Sequence, residues 1–317
     1  MKYKKISIVM LSMLMLMSSV VSLSETAARG LFEILPTAIP LGFSPGTPFV
    51  IPMPTASGVD VSRNARAEVD YSNIRYGYIM ARILDSSIPG ARIVINGPTG
   101  TRYQYRLATN GSWEVFPLSD GNGAYSIAVF EQVVGNQFAS SVSLNINVRL
   151  VDEFAPFLRP NQFVNFTPNS PAVQRARTLV QGSRSVIDAV TAIYGFVIEN
   201  IEYDFELAAT VQSGYVPDID LVFSRGRGIC FDYAALMTAM LRSQGVPTKL
   251  VIGYAGPMFH AWISVHSPET GWINNIVWFD GTNWSIMDPT FSSTSNGSDD
   301  FARFIGDGTN YNPIYFH

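Results

Sequence analysis

Cysteine is almost absent: Cys230 is the only one in 317 residues. A single thiol forms no internal disulfide, which excludes a disulfide-stapled scaffold and leaves the sulfur as either a packed apolar group or a reactive one. Charge is scarce as well. Acidic and basic residues make up 15% of the chain, against roughly 25% in an ordinary soluble protein, and no Lys/Arg cluster marks a nucleic-acid partner. Histidine occurs three times, at His260, His266 and His317, with no acid cluster beside it. No metal site and no cofactor is expected from so thin a ligand set. Apolar residues, in contrast, reach 47% and aromatics 12%, which excludes a disordered chain and supplies a sizeable core.

Lysine is confined to four positions, and three of them, Lys2, Lys4 and Lys5, precede an apolar run over 6–21. Ser22-Leu23-Ser24 follows, with small residues before Glu25. A basic start, a short apolar stretch and a small-residue exit describe a secretory signal peptide over 1–24. The run would span about 24 Å as a helix, short of the roughly 30 Å hydrocarbon core. A secreted or cell-surface protein is therefore expected, with no lipid-attachment cysteine and no membrane-spanning segment after cleavage. Loss of three lysines would take the formal charge from −4 to −7 and leave Lys249 as the remaining lysine.

Residues 25–57 are rich in proline and read as a linker or an edge segment laid along the neighbouring domain. Over 58–152 the pattern is β. Candidate strands at 67–71, 76–84, 91–95, 101–107, 113–117, 124–132 and 141–150 are separated by Pro89-Gly90, Gly97-Pro98, Asn110-Gly111 and Asp120-Gly121. Short strands with turn residues between them indicate an all-β sandwich of immunoglobulin-like architecture.

Helical periodicity takes over from 170. Ser170-Pro171 suits a helix start, and Val186, Val190, Ile193, Val197 and Ile201 recur at three or four residues. Gly228-Ile229-Cys230 then runs into an apolar helix that Gly245 and Pro247 end, which puts Cys230 in its first turn. Free N–H groups and the positive dipole end stabilise negative charge there. Asp232 reads as a cap for those N–H groups. Strands come next. Alternation places His260, Trp262, Ser264 and His266 on one face, with Ala261, Ile263 and Val265 on the other. Residues 276–279 and 284–288 read as a hairpin that brings Asp288 towards His260. Cysteine, histidine and carboxylate are the groups that nucleophilic catalysis needs: one attacks, one moves the proton, one orients the imidazole.

Four motif blocks stand in order: Gly228-Ile229-Cys230-Phe231-Asp232-Tyr233-Ala234, Leu241-Arg242-Ser243-Gln244-Gly245-Val246-Pro247, His260-Ala261-Trp262 and Asp288-Pro289-Thr290. Together they resemble the transglutaminase-like superfamily, over roughly residues 185–295. The resemblance implies an α+β fold: the sandwich followed by a papain-like, transglutaminase-like catalytic domain over 170–317. It implies Cys230 as nucleophile, His260 as base and Asp288 as the orienting carboxylate. Trp262 is a candidate substrate-binding wall, and Tyr203 or Gln212 a candidate oxyanion donor. The expected activity is acyl transfer on amide or peptide substrates through a thioester, ending in amine transfer or hydrolysis. The alternative is a non-catalytic surface-binding protein in which this domain is a scaffold. Export directs the expected partners to protein or peptide substrates such as surface proteins or wall peptides.

Overall fold

A computed structural model describes residues 42–274, 277–279, 284–286 and 310–317, the two short strands 277–279 and 284–286 through their backbone. The first half contains β1 (Val61–Arg63), β2 (Ala67–Asp70), β3 (Tyr78–Ile83), β4 (Ala91–Asn96), β5 (Arg102–Leu107), β6 (Glu114–Pro117), β7 (Gly123–Val134) and β8 (Gln137–Val148). They pair antiparallel in two sheets, ordered β1-β2-β3-β6 and β5-β4-β7-β8. Period-two alternation makes the sandwich: in β5, Tyr103, Tyr105 and Leu107 point inward while Arg102, Gln104 and Arg106 stay exposed. Val69, Ile79 and Ile83 from one sheet meet Ile93, Ile95 and Ile127 from the other in one buried cluster. Each such side chain contributes about 1.5–3 kcal/mol on leaving water. The β7–β8 hairpin is longer than the sequence suggests, turning at Gly135 (φ +51°) and Asn136. Its tip carries Val133 and Val134 into solvent, so no core-facing alternation marked it.

The second half contains α1 (Pro171–Leu179), α2 (Val186–Asn200), β9 (Glu202–Tyr203), α3 (Phe205–Thr210), α4 (Ile219–Arg225), β10 (Arg227–Gly228), α5 (Cys230–Arg242), β11 (Thr248–Ala255), β12 (Met258–Ser267), β13 (Gly271–Ile273), β14 (Val277–Phe279), β15 (Trp284–Ile286) and β16 (Tyr311–Phe316). Helix α2 starts on a full capping box, with Ser185 and Asp188 each taking the other's backbone N–H. Ser170 behaves otherwise than expected. Its hydroxyl caps no helical N–H; it donates to Asp220 and accepts from the Thr167 N–H. The N–H of Val173, the third helical residue, goes instead to the Ser170 carbonyl oxygen at 3.0 Å.

Helix α5 is the centre of this half, buried at every residue from Asp232 to Arg242. Ala234, Ala235 and Ala239 leave room for α1, α2 and α4 to pack around it. It lies on an antiparallel sheet ordered β13-β12-β11-β16. As the alternation requires, Ala261, Ile263 and Val265 face the helix cluster, and Trp262 joins Val251, Ala255 and Tyr311 on the opposite face. β14 and β15 form the expected hairpin, Val277 opposite Ile286 and Phe279 opposite Trp284. The described residues belong to one compact unit, Gly42–His317. Phe43, Phe49 and Ile51 of the proline-rich stretch pack on the helix cluster, and the Pro52 carbonyl accepts from Arg159.

Arg242 is fully buried and joins the layers. Its guanidinium donates to the carbonyls of Thr248, Arg159 and His317. Burial pushes its pKa down to about 9, which still leaves it charged at neutral pH. His317 is buried beside it, with Nδ1 3.0 Å from the Tyr105 hydroxyl of the sandwich and its backbone paired to Leu250. Lys249 lies in an aromatic box, its Nζ 3.8 Å from the Trp272 ring centre and 5.1 and 5.2 Å from those of Phe157 and Phe316.

Candidate active site

Cys230 is half-buried, and it is the first residue of α5. Its position depends on the turn before it. Ile229 is the N-cap and has no side-chain acceptor, so the cap works in one direction: Asp232 Oδ2 accepts the Ile229 N–H at 2.8 Å. This is the role expected for Asp232, and the structure adds a second one. Oδ1 accepts the Tyr215 hydroxyl at 2.7 Å, tying the loop after α3 to the start of α5. Asp232 is fully buried, and burial raises its pKa; its two hydrogen bonds oppose that shift. Gly228 is required by the same contact. A β-carbon there would lie 2.6 Å from the Asp232 β-carbon, so the glycine and the acid of the first motif are two sides of one close approach.

A cleft of about 500 Å³ opens at this helix start. Cys230, Ile229 and Phe231 form its floor, and His260, Ala261 and Phe259 come from the beginning of β12, with Ile252 from the neighbouring strand. The loop over 211–215 and Tyr203 close the other side. Tyr203 gets there because β9 pairs parallel with β10, setting it opposite Gly228. Among the described residues, His260 is the only ionisable nitrogen base on the lining, and none of the lining side chains is acidic, lysine or arginine. His260 itself is nearly buried and stacks on Trp262, ring centres 6.2 Å apart.

The cleft therefore gathers Cys230, His260, Tyr203 and Gln212. Gln212 donates its Nε2 to the Thr210 carbonyl. Trp262 lies behind His260, 2% exposed and edge-on to Tyr311, away from the lining. Asp288 lies outside the described residues. Tyr215, Ile252 and Phe259 had no signal in the sequence: the loop over 211–215 has no periodicity, Ile252 reads as an ordinary strand residue, and Phe259 precedes the strand that the alternation marks from His260. His266 packs against Phe154 and Trp272. Among the described residues no group of three or more histidine, cysteine, aspartate and glutamate side chains is placed to hold a metal ion.

A buried helix lies across an antiparallel sheet in an α+β arrangement, with a cysteine at its start and a histidine from the sheet on one cleft. Residues 173–289 match the transglutaminase-like superfamily, so the chain carries a domain of that superfamily. Two curated proteins are similar over short stretches. A protein-glutamine gamma-glutamyltransferase of Pseudomonas aeruginosa is 32% identical over 17% of this chain and 10% of its own. The Bacillus subtilis protein YebA, described as uncharacterized, is 26% identical over 40% of this chain and 20% of its own. The chain thus spans a tenth to a fifth of the length of these relatives. Among solved structures, one from Cytophaga hutchinsonii described as a candidate cysteine protease is 19% identical, covers 82% of this chain and 74% of its own, and has a TM-score of 0.37. Red sea bream transglutaminase is 15% identical, covers 70% and 49%, and has a TM-score of 0.29.

Proposed function

We propose that the protein is an exported thiol acyltransferase acting on carboxamide or peptide carbonyls of protein substrates. The observation that carries this reading is that Cys230 and His260 line the same cleft, the thiol at the start of a buried helix. In the proposed reaction Sγ attacks the carbonyl carbon while His260 takes the thiol proton. Backbone N–H groups at the helix start hold the oxyanion. His260 then returns the proton to the departing amine, ammonia when the donor is a glutamine side chain, and a thioester remains. An amine acceptor resolves it to a new amide, and water resolves it to an acid. Asp288 is assigned the orientation of His260, as the fourth motif block implies.

Among the described residues the lining has no acidic, lysine or arginine side chain, which suits a neutral carboxamide, desolvated at lower cost than a carboxylate. The decisive measurement uses a glutamine-containing peptide with a fluorescent primary amine, following label incorporation and ammonia release together. The intact protein yields one or both products, and Cys230→Ala yields neither. Full activity in Cys230→Ala would overturn the mechanism. For export, the expected result is a secreted chain beginning at Glu25, read by N-terminal sequencing of culture-medium protein.

A further inference from the structure

A second, larger groove of about 810 Å³ shares a wall with the catalytic cleft: Ser213 and Gly214 line both. From that wall the groove crosses the sandwich surface past Arg106, Gln104 and Arg92 towards Phe138. The partition is thin. Gly214 has φ +85°, and a β-carbon on it would fall 2.2 Å from Arg106 Nε. A sandwich arginine thus lies directly against the backbone that borders the thiol cleft.

The charge on the groove is unbalanced. Its ionisable lining consists of Arg92, Arg106, Glu114 and the inward-facing Tyr105. Glu114 is already engaged, one oxygen accepting from Gln162 Nε2 at 2.8 Å and the other from the Ala108 N–H at 2.7 Å. The ion pairs among the described residues involve Arg63, Arg66, Arg82 and Arg227; Arg92 and Arg106 form none. Arg92 is instead spread over the Phe138 ring at 3.8 Å, which fixes the guanidinium and leaves N–H edges to offer. Among the described residues the cleft has no comparable charge, and the whole chain is acidic. A basic groove continuous with a neutral reaction cleft selects by charge at one place and by chemistry at the other.

We propose that this groove is a binding site for the acyl-donor chain beside its reactive residue, and that the segment it takes is a peptide bearing aspartate or glutamate side chains. Arg106 and Arg92 receive those carboxylates, and the loop over 213–216 separates them from the reacting carbonyl. The assignment of the occupant as a donor peptide rests on the acyl-transfer reading above.

The test compares two fluorescent glutamine peptides, one with an acidic flank and one with a neutral flank, by anisotropy on full-length Cys230→Ala. The acidic peptide should bind about tenfold more tightly at low salt, and the advantage should shrink as salt rises. In Arg92→Glu/Arg106→Glu, and less steeply in Arg92→Gln/Arg106→Gln, the ratio of the two affinities should fall to about one. Arg102→Glu, a charge reversal on β5 outside the groove, should leave the ratio in place, and thermal unfolding checks that each variant is folded. Equal affinities, a ratio that survives reversal, or binding of a sulfated glycan in place of the acidic peptide would each overturn the proposal. Turnover of the neutral peptide by the unmodified enzyme tests the chemistry separately. Charge-dependent binding without turnover removes the acyl-transfer reading alone, and turnover without charge dependence removes the groove alone.

Discussion

Asp232 connects three pieces of chain that meet at the thiol: the N-cap N–H of Ile229, the hydroxyl of Tyr215 and the close approach of Gly228. Asp232→Ala should cost about 2 kcal/mol in urea unfolding, since it strips a buried N–H of its acceptor. Tyr215→Phe keeps the ring and the cap and should cost about 1 kcal/mol. It should also alter substrate turnover, because Tyr215 is part of the cleft wall. A variant with unchanged stability would show that the loop is held by other means. The motif residues around Cys230 were legible in the sequence because glycine, cysteine and acid are local to one turn. Tyr215 was not, because its partner lies seventeen residues away across a loop of no fixed period. Arg242 stood in a recognised motif without a role; its three carbonyl partners come from distant segments that only the folded chain assembles.

Elements with a strong period were readable, and those defined by a partner were not. The alternation of β12 is set by its own sequence, as is the amphipathic stripe of α2, and both formed as expected. β16 escaped the sequence reading since Pro313 in its middle argues against a strand. The sheet accommodates it at an edge, opposite Gly253, where the β11–β16 register shifts. Gly253 makes that bulge possible: a β-carbon would sit 2.1 Å from the Asn312 carbonyl oxygen and 2.8 Å from Trp262 Cη2. Gly253→Ala should therefore destabilise the fold by about 2–3 kcal/mol or displace β16, a cost of overpacking that thermal unfolding measures. Loss of protection at the Tyr311–Phe316 amides in hydrogen exchange would distinguish displacement from a general loss of stability. A neutral substitution would mean that the bulge can shift without harm.

At the scale of the whole molecule, His317 makes stability depend on pH. Burial and the neighbouring Arg242 push its pKa down to about 3, from an ordinary value of 6.5. Below pH 6.5 the unfolded chain takes up a proton that the folded chain refuses, so stability is lost as pH falls towards 3. The share of His317 between pH 7 and pH 5 is about 2 kcal/mol. Urea unfolding of His317→Gln should show a correspondingly flatter pH slope; an unchanged slope would place the acid sensitivity elsewhere. The same region contains Lys249, whose ammonium is shared among three rings. From residue 25 onward the chain has no other ε-amine. On the proposal that the chain is exported with Glu25 as its first residue, amine-directed reagents would find little on it beyond Lys249 and the terminal amine, so lysines of a bound partner could be tagged or cross-linked in a mixture with little background from this chain.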